Sequence, residues 1–171
     1  MLKKISVRSF IAVVGVTSLS AASAASLEMG SYSNAPGGKE IEAGNYDAAI
    51  VLASMPIARH DLEGALIAAT NLCVAYTVTR ELDHAYEACA EALTLARRVD
   101  KATSARFRSA ATARALTNRG VLRAVSGDTL GAAADFREAA RSSGNWAAPS
   151  RNLAYLESSP AHRLALARAA N

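Results

Sequence analysis

From Lys39 to about Glu157 the apolar and alanine positions recur three and four residues apart, in runs of roughly 11 to 16 residues separated by short polar turns. No stretch alternates apolar with polar residues in the two-residue period of a half-buried strand. The pattern predicts amphipathic helices throughout, an all-α chain. Ahead of it, residues 26–38 contain Gly30, Ser31, Ser33, Asn34, Pro36, Gly37 and Gly38. That composition disfavours regular structure and predicts a flexible N-terminal arm. Pro56 is expected to end a helix that starts at Tyr46, and Ser158, Ser159 and Pro160 to end another.

Three of the helical runs share one skeleton. Gly44-Asn45-Tyr46 is followed by Ala49 and Ala53, Arg80-Glu81-Leu82 by Ala85, Cys89 and Ala92, and Gly127-Asp128-Thr129 by Ala132, Phe136 and Ala139. Before the second and third turns stand matching first helices, Asn71-Leu72-Cys73 with Tyr76 and Asn118-Arg119-Gly120 with Arg123. Asn152-Leu153-Ala154 falls 34 residues after Asn118-Arg119-Gly120 and begins a fourth, shorter unit near Trp146. The skeleton resembles the tetratricopeptide repeat, a helix–turn–helix unit of about 34 residues with small residues where its helices cross. The resemblance implies a helix-turn-helix solenoid over residues 39–157, with about two full repeats and a partial repeat at each end. Residues 158–171 are then a C-terminal capping helix or tail.

The departures are specific. Residues 36–40 are too short for a first helix, so the first unit reduces to little more than Tyr46 to Met55. Asn71 and Asn118 lie 47 residues apart, which leaves about 13 extra residues near Arg97 to Ser109, expected to extend a helix or to form a basic loop. Arg119 and Arg123 stand where the family has a leucine and an aromatic residue. Weaker packing is therefore expected in the first helix of the third unit.

Residues 1–25 change the picture of the compartment. Lys3, Lys4 and Arg8 precede the apolar stretch Phe10 to Leu19 and the small-residue pattern Ala22-Ser23-Ala24, the three parts of a secretory signal cleaved near Ala25. The apolar stretch is about half of the roughly 20 residues a spanning helix needs, and no integral membrane span is expected there or later in the chain. The expected location is periplasmic or secreted. The formal charge of +4 largely reflects the three basic residues of this leader. The remainder is a charge dipole, −7 over residues 26–96 and +8 over residues 97–171. The basic part lacks interleaved aromatic residues, so no nucleic-acid partner is expected.

Candidate chemistry is sparse. His60, His84 and His162 are scattered, and neither a nucleophile elbow nor a phosphate-binding glycine loop occurs. No enzyme, cofactor or metal is expected; His84 with Cys73 or Cys89 matches no common zinc spacing. In the tetratricopeptide unit Cys73 and Cys89 face each other across the helix hairpin. They form a disulfide if their Cα atoms approach within about 7 Å, or stand as two small core residues.

The same resemblance puts Asn71, Asn118 and Asn152 at equivalent places on one concave surface. Asparagine carries a donor and an acceptor that can pair with the main chain of an extended peptide, or can bond a neighbouring helix. One turn along, Val74, Val121 and Tyr155 share that face, with Arg114, Arg151, Thr70, Thr77 and Thr117 around them. The implied function is a non-enzymatic scaffold binding a protein or peptide, with the basic second half suited to an acidic partner. Self-association through the charge dipole, or a place as accessory subunit of an envelope enzyme, are the alternatives.

Overall fold

The computed structural model of the chain describes residues 27–58, 61–99 and 103–169. The expected secretory signal and its cleavage point lie outside the described residues. Those described contain eight helices and no strand. They are α1 (Gly38–Glu42), α2 (Tyr46–Ala53), α3 (Leu62–Thr79), α4 (Leu82–Arg98), α5 (Ala105–Val125), α6 (Thr129–Ser142), α7 (Ala148–Ser158) and α8 (Pro160–Ala169).

Local chemistry sets the boundaries. The Asp61, Ser104 and Asp128 side chains accept from the main-chain N–H groups of Gly64, Phe107 and Gly131, capping α3, α5 and α6. The three turns shared by the sequence skeleton open on a left-handed residue each time: Gly44 at φ 75, Arg80 at φ 66 and Gly127 at φ 93. Glycine takes that conformation freely, whereas Arg80 holds it at a cost of about 1 kcal/mol. The Arg80 Nη1 donates to the Val125 carbonyl at 3.3 Å, tying this turn to the end of α5.

Each helix packs on the next in sequence, and α1, α3, α5 and α7 also touch along a row. Among α2, α4, α6 and α8, only α6 and α8 meet. The closer-spaced row lies on the inside of the curve, so α3, α5 and α7 present a concave face. Alanine makes the close approach possible: Ala69, Ala92, Ala96, Ala111, Ala115 and Ala139 are buried in one cluster with Leu66, Leu93 and Leu116.

The α3–α4 and α5–α6 pairs are crossed by equivalent residues. Cys73 and Cys89 precede Gly120 and Phe136 by the same 47 residues that separate Asn71 from Asn118. At Gly120 a Cβ would stand 2.5 Å from the Phe136 ring, so the large residue of α6 fills the space left by the small one of α5. In the preceding pair the helices are joined instead by a Cys73–Cys89 disulfide, with Cα atoms 4.8 Å apart. Both sulfurs are thereby unavailable to a metal beside His84.

Two expectations change here. The third unit's first helix is not loosely packed. Arg119 Nε and Nη2 donate to Asp135 at 2.9 and 2.6 Å, and Arg123 Nη1 donates to it at 2.9 Å. The Asp135 side chain is only 4% exposed, so a buried ion cluster takes the place of the apolar contact among Leu72, Tyr76 and Ala88 one unit earlier. Second, α3 has 18 residues and a mean hydropathy of 1.3, long and apolar enough to cross a membrane, although half of it is buried inside the fold. Of the extra residues near 97–109, Arg97 and Arg98 close α4 and those from Ala105 onward extend α5, the first of the two expected arrangements.

Candidate binding groove

The concave face carries the asparagine row, and the row is engaged. Residues 27–32, expected to be flexible, run across it in extended form. The Asn152 Oδ1 accepts from the Glu28 N–H at 2.8 Å while its Nδ2 donates to the Glu28 carbonyl at 2.7 Å. The Asn118 carboxamide makes the same pair of bonds with Gly30, both at 2.8 Å. The Asn71 Oδ1 accepts from the Tyr32 N–H at 2.8 Å, and its Nδ2 donates to the Tyr32 carbonyl at 3.3 Å and to that of Pro36 at 3.1 Å.

The regularity has a geometric cause. In an extended chain alternate residues point their main-chain groups the same way, about 6.6 Å apart. Helix axes in contact stand about 8 to 10 Å apart. Carboxamides from three helices meet residues 28, 30 and 32 because the concave face brings the side-chain ends closer together than the axes. All three asparagines are buried, at 0%, 0% and 1% exposure for Asn71, Asn118 and Asn152. A buried carboxamide must be hydrogen-bonded, and here its partners are main-chain atoms, which every peptide has.

Side chains of the segment alternate between two walls. Leu27 and Met29 pack against the cluster of Val121, Ala132, Phe136 and Leu156, with Met29 also against that of Cys73, Ala85, Ala88, Cys89 and Leu122. Beside them a groove of about 560 Å³ remains open, lined by Val74, Val121, Tyr155, Thr77, Val78 and Val125. The other wall is polar and aromatic. Arg151 Nε and Nη2 each donate to Glu28 at 2.6 Å, a bidentate pair. Those bonds hold the Glu28 carboxyl below its ordinary value, outweighing a smaller upward push from burial, and raise Arg151. The Arg114 guanidinium lies over the Tyr32 ring, 4.2 Å from its centroid, and 5.7 Å from that of Trp146. Between these groups, a Cβ on Gly30 would meet Arg114 Nε and Trp146 Cζ2 at 3.0 Å.

The structure thus places Asn71, Asn118, Asn152, Arg114 and Arg151 on the extended segment, and Val74, Val121 and Tyr155 along the open groove beside it. Thr70, Thr77 and Thr117 are buried and donate to the carbonyls of Leu66, Cys73 and Ala113 four residues back, which removes their hydroxyls from the surface. Sequence reasoning missed Trp146 and the arm itself. The period-two order Leu27-Glu28-Met29 is the one local signal of an extended segment, too short to stand out. Among the described residues no three metal-ligating side chains come together. No protein-family model, no curated protein and no solved structure matches this chain.

Proposed function

We propose that the chain is a non-enzymatic scaffold of the bacterial cell envelope, built as a tetratricopeptide-like solenoid, that binds an extended segment of a partner protein on its concave face. The observation carrying this reading is that three buried asparagines, one from each of α3, α5 and α7, pair with the N–H and C=O of alternate residues in an extended segment. Main-chain pairing of this kind provides affinity without fixing sequence, while side-chain subsites on either wall provide selectivity. The leader-like pattern of residues 1–25 and the Cys73–Cys89 bond both suit an oxidising compartment.

The test is retention from envelope extract on the immobilised chain beside its Asn118→Ala variant. A partner using the groove is held by the first and lost from the second; equal retention removes the groove from the function. A fusion of residues 1–30 to a reporter active only outside the cytoplasm should give activity, and a silent reporter at normal expression removes the compartment. The self-association alternative rests on the −7 and +8 halves of the sequence after the leader. It requires an assembly that weakens as ionic strength rises.

A further inference from the structure

The arm is not a neutral filler of the groove, because its side chains match the polar and aromatic subsites along one wall. Arg151 forms two hydrogen bonds with the carboxylate of Glu28. At Gly30 a Cβ would stand 3.0 Å from Arg114 Nε and Trp146 Cζ2, so a side chain there would have to push that wall aside. Arg114 covers the ring of Tyr32. Leu27 and Met29 turn the other way, onto apolar core residues. These contacts fall at a strict two-residue spacing set by Asn152, Asn118 and Asn71, which also fixes the direction of the chain: its N-terminal end lies at α7 and its C-terminal end at α3.

We infer that residues 27–32 are a built-in template and competitor for the partner, whose binding segment carries an acidic residue, a glycine two positions on and an aromatic residue two further, with apolar residues on the alternate positions. This inference rests on the groove being a peptide site and adds what that site selects. The partner is a segment of another protein rather than the arm of a second copy. Arm exchange between copies would remake the same contacts and add the cost of association. A foreign segment can gain more, since the groove of about 560 Å³ beside Leu27 and Met29 is unfilled and takes longer apolar side chains at those two positions. The tethered arm acts as a competitor at a high effective concentration, so the full chain binds a free segment more weakly than the open groove does.

The experiment uses the full chain, a Gly30→Val chain whose arm no longer fits beside Trp146, and a labelled peptide with the sequence of residues 27–34. The peptide should bind the Gly30→Val chain at least tenfold more tightly than the unmodified chain. A peptide carrying the Gly30→Val change should bind that same chain at least tenfold more weakly than the original peptide, and one carrying Glu28→Lys several-fold more weakly. The exposed Glu28→Lys change, made in the full chain, loosens the arm without touching the helical core and supports the same comparisons if Gly30→Val disturbs folding. Equal binding of all three peptides, still lost on adding Asn118→Ala, would overturn the template while leaving the main-chain site standing. Absence of binding by any peptide to chains whose arm amides exchange freely would overturn both. Formation of a dimer by the unmodified chain through arm exchange would assign the groove to a second copy and overturn the proposal in that way.

Discussion

Replacing Asn118 by alanine isolates the arm-holding contact at the centre of the row. The side chain is wholly buried and contributes two bonds of 2.8 Å to Gly30, one as acceptor and one as donor. A neutral hydrogen bond contributes about 1 kcal/mol net, so two lost together cost about 2 kcal/mol. Water entering the vacated space re-pairs part of the Gly30 main chain and keeps the cost near that value. A change of this size is about a 30-fold shift in the equilibrium between seated and free arm. Two measurements read it. Amide hydrogen exchange at Gly30, Glu28 and Tyr32 should accelerate by about that factor, with exchange in the interior of α3 and α5 unchanged. Emission of Trp146, the chain's single tryptophan, should shift toward a more exposed value as Gly30 leaves its ring. Unchanged exchange at residues 28–32 would mean that the asparagine does not hold the arm. A fall in helix content together with faster exchange in α5 would make Asn118 a residue of the helical core, the other role open to it in the sequence.

Thiol titration of the denatured chain without reductant should find neither cysteine free, and reduction should lower the melting temperature by roughly 6 to 12 °C, from about 3 kcal/mol for a loop of this length; two free thiols would refute the bond. Asp135→Ala leaves Arg119 and Arg123 partly buried without their carboxylate and should destabilise by about 2 to 3 kcal/mol in chemical denaturation. The triple change Arg119→Leu, Arg123→Tyr and Asp135→Ala, which copies the preceding unit, should recover most of that loss. Because the seated Glu28 has a carboxyl pKa below the ordinary 4.5, its contribution to arm seating is fully present above that value and is lost as pH falls through the lowered pKa. For so exposed a pair the loss should be a few-fold, seen in Trp146 emission and absent in Glu28→Gln.

The sequence by itself determined the helices, because a three-and-four period of apolar and alanine positions suits little else. The turns at Gly44, Arg80 and Gly127 were equally legible, as was the equivalence of Asn71 and Asn118, which stand at equal offsets from similar turns, and of Asn152, one 34-residue repeat after Asn118. It did not determine what those faces meet. Arg119 and Arg123 read as poor packing residues because their partner Asp135 lies on another helix. The same holds for residues 27–32, whose glycine and serine content describes a chain with no structure of its own. Their order comes from three carboxamides supplied by α3, α5 and α7, residues 39 to 124 positions away in the sequence. Local propensity carries no record of such partners, and only the curvature that brings three helices under one extended segment decides that the arm is held and that the groove already contains a peptide.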